Sequence, residues 1–142
     1  MRLLAVSTWL PYPLDNGSRV RAYHLLRHLA LRHEVSLLAF GVPRGPEELV
    51  PLRAFCAQVE VVAPKHSGGT GYGFRGLLSA VPRYYVQTWS TEMSALVATH
   101  VGANDAAIAL EVDAAGYLAA YRDVPRVFEE AEVTVLRERY LL

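Results

Sequence analysis

The sequence predicts an α/β domain of the Rossmann-like, three-layer kind, with a mostly parallel sheet covered on both faces. Three observations carry that expectation. Short strand-like runs recur at Leu3–Ser7, Glu34–Phe40, Val59–Ala63, Ala106–Leu110 and Arg126–Phe128. Stretches with helical spacing lie between most of them, and strands that alternate with helices pair in parallel. The loop from the first strand into the first helix carries a glycine, Gly17, where an open α/β sheet turns its ligand cleft outward.

The elements follow in order. Leu3–Ser7 is apolar until Ser7 and reads as a buried strand. From Ser18 to Arg32, Val20, Ala22, Leu25, Leu26, Leu29 and Ala30 recur at helical spacing, with Arg19, Arg21, Arg27 and Arg32 on other faces and Asn16 or Ser18 as the cap. Glu34–Phe40 is a second strand, ended by Gly41–Gly45. Pro46–Ala57 reads as a helix, with Pro46 in its first turn and Glu47 and Glu48 near its positive end. Val59–Ala63 is a third strand, and the glycine-rich stretch Pro64–Gly76 a loop. Helical spacing returns over Ser90–Val101, capped by Ser90 or Thr91. Ala106–Leu110 is a fourth strand, Ala114–Tyr121 a short helix, Arg126–Phe128 a fifth strand, and Ala131 onward a helix. That last helix meets no Gly or Pro before Leu142, so the chain is expected to continue.

Bulk properties narrow the function. A length of 142 residues suits one domain, and 52% apolar residues suffice for a core. The formal net charge is zero and Lys65 is the sole lysine, which argues against a nucleic-acid partner. Cys56 is the one cysteine, which excludes an internal disulfide or a multi-thiol metal site and fits a reducing cytoplasm. The apolar start Leu3–Val6 is broken by Ser7 and Thr8, then Pro11 and Pro13, so it reads as a strand and not a signal peptide. No segment reaches the ~18–20 apolar residues of a membrane span. A cytoplasmic protein is expected.

Several patterns suggest chemistry. The loop Pro11–Ser18 leads into a helix whose N-terminal amides can receive an anion such as a phosphate. Gly71–Gly76 matches GxGxxG, but Pro64–Thr70 intervene after the strand, and no acidic residue ends a second strand at the right distance, since Glu92 lies near a predicted helix start; a loop is therefore preferred to a nicotinamide or flavin site. His24 and His28 share a helix face at i, i+4 but lack further ligands nearby, so surface histidines are preferred to a metal pair. Glu111 and Asp113 follow the fourth strand, and Glu129, Glu130 and Glu132 the fifth. Strand C-termini are where ligand groups gather, although charges at helix N-termini give the same pattern. No GxSxG elbow occurs. Trp9, Tyr84, Tyr85 and Trp89 suit sugar stacking or core packing, with core preferred.

With these elements placed, the chain resembles the N-terminal half of a family 4 glycosyltransferase of the two-domain B fold. Leu10-Pro11-Tyr12-Pro13, Asn16-Gly17-Ser18 and Arg19 or Arg21 resemble the family's loop, and Leu25–Leu38 its "LLRxLAxRHEVxLL" helix and strand. Leu77–Tyr84 resembles its "LLSxxPYxV" segment, and Asn104–Ile108 its fourth strand start. Two departures stand out. Ser18 takes the place of a second glycine, and Ala131 and Glu132 stand where the family often has His and Asn.

The resemblance implies transfer of a sugar from a nucleotide-diphosphate donor with retention of configuration and no required metal or other cofactor. It places Asn16, Gly17 and Ser18 beside the donor diphosphate, and Arg19, Glu111 and Glu129 as donor or acceptor contacts. It implies a C-terminal nucleotide-sugar domain beyond this 142-residue piece, without which the piece is expected to be inactive. The acceptor stays open among a lipid, a polysaccharide and a small molecule, as does a peripheral membrane contact. An isolated half is also expected to self-associate as a homodimer through its bared interface. The alternative is a stand-alone α/β module that binds a small anion without turnover.

Overall fold

The computed structural model describes residues 1–64 and 89–130. Five strands, β1 (Arg2–Ser7), β2 (Glu34–Phe40), β3 (Gln58–Val62), β4 (Ala106–Leu110) and β5 (Arg126–Glu129), form one sheet in the order β3-β2-β1-β4-β5. Every pairing is parallel, with Leu3 opposite Val35, Ala5 opposite Ile108, Leu37 opposite Val59 and Leu110 opposite Glu129. The expected α/β, Rossmann-like class is the observed one.

Side-chain alternation along the strands builds two cores, one on each face. On one face Leu3 and Ala5, Val35 and Leu37, and Ile108 and Leu110 meet Ala22 and Leu26 of α1 (Gly17–Leu29), together with Leu52 and Cys56. On the other, Leu4 and Val6, Leu38 and Phe40, and Ala107 and Ala109 meet two helices. These are α3 (Thr91–Val101), through Met93, Val97 and Val101, and α4 (Val112–Leu118), through Ala114, Tyr117 and Leu118. The α3 contacts fall at i, i+4, i+8, so one stripe of the helix is buried.

Caps set the helix starts. The Asn16 side chain accepts the Arg19 N–H at 2.9 Å, and its carbonyl accepts that of Val20 at 3.0 Å. Ser90, 1% exposed, accepts the Met93 N–H through its hydroxyl at 3.3 Å. Both caps are among the residues expected from sequence.

Two helices differ from expectation. The Pro46–Ala57 stretch is a 3-10 turn at Pro46–Leu49 followed by α2 (Val50–Arg53). It ends early because the Ala57 N–H is drawn to the Val35 carbonyl at 2.9 Å, where the chain enters β3. The helix expected at Ala114–Tyr121 starts two residues sooner and ends at Leu118. β5 pairs only with β4 among the described residues, and Val127 and Phe128 are 56% and 52% exposed. The loop up to Gly76, the Gly71–Gly76 pattern, the Leu77–Tyr84 segment, Tyr85 and the helix from Ala131, with Glu132, lie outside the described residues except for Pro64.

Candidate functional site

From β1 the chain winds outward to β2 and β3, then crosses to β4 and β5 on the other side. Beyond the carboxyl ends of β1 and β4 the connections diverge to opposite faces and leave a crevice, the usual ligand position in such sheets. Residues 8–16 and Glu111 border that crevice, and Glu129 closes β5 beside it.

The first wall is the loop into α1. The Ser7 hydroxyl, fully buried, donates to the Trp9 carbonyl at 2.6 Å and so turns the chain off the strand. The Tyr12–Pro13 peptide is cis, and Tyr12 packs near Tyr23, with ring centroids 6.2 Å apart. The Asp15 carboxylate accepts the Asn16 amide at 3.1 Å and pairs with the Arg19 guanidinium at 2.7 Å. Asn16 takes the Arg19 and Val20 amides, while those of Gly17 and Ser18, with no helix carbonyl four residues before them, have no partner among the described residues. They stand in the first turn of α1, where aligned peptide dipoles leave about +0.5 charge. Asn16, Gly17, Ser18, Arg19 and Trp9 line one concavity of about 410 Å³.

Gly17 is not there for its backbone angles, since no described glycine has a positive φ. A Cβ built on it would meet nothing within 4 Å, so its effect is to leave open space before the amides. Ser18 is helical and half-buried.

A second cleft of about 310 Å³ adjoins the first and shares Trp9 and Arg19 with it. It lies over the ends of β1 and β2, between Trp9, Leu10, Tyr12, Phe40, Gly41 and Arg44. Gly41 is required here by close packing. A Cβ on it would fall 2.6 Å from Leu10 Cδ1, and its N–H donates to the Val62 carbonyl at 3.0 Å.

The opposite wall is acidic. Glu111 sits between β4 and α4 at φ 73° and ψ 157°, a backbone region almost confined to glycine. Two hydrogen bonds pin it there: its N–H donates to the Glu129 carbonyl at 2.8 Å, and its carbonyl accepts the Ala114 N–H at 3.1 Å. Glu129 in turn forms an ion pair with Arg21 of α1 at 2.5 Å. Behind them Tyr117 accepts the Ser90 N–H at 2.8 Å and stacks on Trp89, centroids 4.4 Å apart. Burial pushes the Tyr117 phenol above its ordinary value; the Ser90 bond opposes the shift and the Asp113 charge adds to it.

All six residues expected to carry function thus lie at the carboxyl edge of the sheet, in two groups. Asn16, Gly17, Ser18 and Arg19 share the α1 mouth, and Glu111 and Glu129 join through one backbone bond on the far side. Arg21 links the groups. His24 and His28 are both exposed on α1, and no group of three or more metal-binding side chains occurs among the described residues. Trp89, for which core packing was preferred, is 45% exposed. No helix among the described residues is long and apolar enough to cross a membrane. No family model, curated protein or solved structure matches the chain.

Proposed function

We propose that this chain is the acceptor-side half of a retaining glycosyltransferase, which moves a sugar from a nucleotide-diphosphate donor to an acceptor hydroxyl. The observation that supports it most is the α1 mouth. Two unpartnered amides, a helix N-terminus, an open space left by Gly17 and a guanidinium converge on one concavity at the carboxyl edge of β1.

The chemistry follows from those groups. As the bond between sugar and diphosphate breaks, negative charge grows on the departing phosphate oxygens. The Gly17 and Ser18 amides and the α1 dipole are fixed in advance of that charge and stabilise it without reorganising. The Arg19 guanidinium, paired with Asp15 at 2.7 Å, lies beside them as a further hydrogen-bond donor. Glu111 and Glu129 face the crevice from the other strands, where they contact donor or acceptor hydroxyls. Arg21 neutralises Glu129 and keeps a carboxylate from repelling the diphosphate. A second α/β domain, with a Glu-x7-Glu pattern, completes the nucleotide site; this chain alone presents one wall and does not turn over. No metal enters the proposed chemistry.

The complete gene product, incubated with a panel of nucleotide-diphosphate sugars and candidate acceptors, is expected to form a glycoside that retains the donor's anomeric configuration. Gly17→Val, which fills the space before the amides, is expected to lower kcat by about 10²-fold, the loss typical of one charge-stabilising donor. Absence of transfer with every donor, while the chain still binds a small anion, would leave the non-catalytic binding module as the correct reading.

A further inference from the structure

The chain has two asparagines, Asn16 and Asn104, and the fold treats them differently. Asn104 is locked. Its side-chain amide donates to the His100 carbonyl at 2.9 Å, and the N–H of the next residue, Asp105, donates to the Arg2 carbonyl at 2.8 Å. Asn16 lies on the exposed loop before α1, and the next residue is Gly17. The Gly17 N–H has no partner among the described residues, and a Cβ built on Gly17 would meet nothing within 4 Å. The backbone nitrogen that follows the Asn16 side chain is thus neither hydrogen-bonded nor shielded by a side chain of its own.

We infer that Asn16–Gly17 is a site of spontaneous deamidation, which adds a negative charge at the α1 mouth. The Gly17 nitrogen loses its proton to solvent and attacks Cγ, the carbonyl carbon of the Asn16 side chain. The Cγ–Nδ2 bond breaks, solvent returns a proton, and ammonia leaves a cyclic succinimide. Water then opens the ring. Cleavage of the new bond between Gly17 N and Cγ leaves aspartate in place of Asn16. Cleavage of the original peptide bond leaves isoaspartate, whose main chain runs through the former side chain. Glycine favours the attack because any Cβ in its place crowds the approaching nitrogen.

The helix cap sets the rate. Attack requires Asn16 to leave its extended backbone, at ψ 165°, and its side-chain bonds to the Arg19 N–H at 2.9 Å and the Asp15 carboxylate at 3.1 Å. Both bonds are exposed and lie at a helix end, where local opening costs little. Conversion in the folded chain is therefore slower than in the unfolded chain and faster than at Asn104. Aspartate caps a helix as well as asparagine does, so α1 survives its formation. Its charge stands beside the Gly17 and Ser18 amides, where Asp15 already pairs with Arg19, and a second carboxylate there repels a phosphate. Isoaspartate also lengthens the main chain and displaces the cap. Loss of diphosphate binding rests on the proposed function, whereas the deamidation rests on Asn16 and Gly17 alone.

The test is incubation of the folded chain in mildly alkaline buffer, followed by peptide mapping with mass spectrometry. Amide-to-acid conversion, with isoaspartate among the products, is expected to accumulate at Asn16 while Asn104 stays intact. Gly17→Ala, whose methyl group meets open space, is expected to keep the fold and lose the conversion. Conversion at Asn16 no faster than at Asn104, or undiminished conversion in Gly17→Ala, overturns the inference. Binding of inorganic pyrophosphate to the unmodified chain and to Asn16→Asp is then read at the Gly17 and Ser18 amides by NMR. The variant is expected to bind about fivefold more weakly or worse. Equal binding by both overturns the effect on the mouth. Binding by neither refutes the diphosphate site of the proposed function, while the modification stands.

Discussion

Arg21, one turn into the first helix, forms an ion pair with Glu129 at the end of β5, an edge strand among the described residues. The Glu129 side chain is 14% exposed and that of Arg21 54%, so the pair is asymmetric: a nearly buried carboxylate held by a half-exposed guanidinium. It spans the crevice and ties the α1 mouth to the acidic wall.

Loss of Arg21 leaves that carboxylate uncompensated. Arg21→Ala is expected to destabilise the fold by ~1–2 kcal/mol, between the values for exposed and buried pairs. Glu129→Gln should cost less, because no buried charge is stranded. Urea unfolding of both variants and the double variant checks the order, and non-additivity in the cycle measures the coupling.

Glu111 holds a conformation that costs a non-glycine residue ~1–3 kcal/mol. Glu111→Gly is therefore expected to raise stability by ~1 kcal/mol, while Glu111→Ala, which keeps the strain and loses the side chain, lowers it. If the carboxylate serves the reaction, the more stable Gly variant loses activity. Thermal melts and transfer assays on the same samples separate the two effects.

Asn16 caps α1 by accepting the Arg19 N–H through its side chain and the Val20 N–H through its carbonyl. Asn16→Ala is expected to cost ~1 kcal/mol in urea unfolding, and Asn16→Ser a few tenths. Ser90→Ala is expected to show a comparable loss at α3.

Burial pushes the Cys56 thiol up to about 12 from an ordinary value near 9.0. The folded state thus favours the neutral thiol. Its contribution to stability is fully present below pH 9 and is lost as pH rises from 9 towards 12. At pH 7.5 the native thiol is expected to resist a disulfide reagent and to react stoichiometrically in denaturant. Rapid labelling of the native protein would contradict this.

Legibility in the sequence tracked how local each signal was. β4 was bounded correctly because a run of small apolar residues lies between Asn104-Asp105 and Glu111, and Ser90 announced α3 by its chemistry. The Pro46–Ala57 helix was overestimated because the pull of Val35 on the Ala57 amide is a tertiary contact with no trace in helical spacing. Asn16, Gly17 and Ser18 were legible as a loop feeding a helix. The Arg21–Glu129 pair was not, since it joins residues at opposite ends of the chain. Nor was the Glu111 conformation, because nothing in a glutamate marks a positive φ. Nor was Trp9 as a residue lining both clefts, since residues distant in sequence build the rest of the second cleft.

The proposed function requires the donor diphosphate to meet the first turn of α1. The most direct test is an amide-resolved NMR titration of the chain with UDP-glucose and GDP-mannose, and NAD as a comparison. The Gly17 and Ser18 amides are expected to shift first and saturably with a nucleotide-diphosphate sugar, and Gly17→Val is expected to abolish the shift. Undisturbed Gly17 and Ser18 amides at saturating nucleotide sugar, or an equal response to NAD, would contradict it.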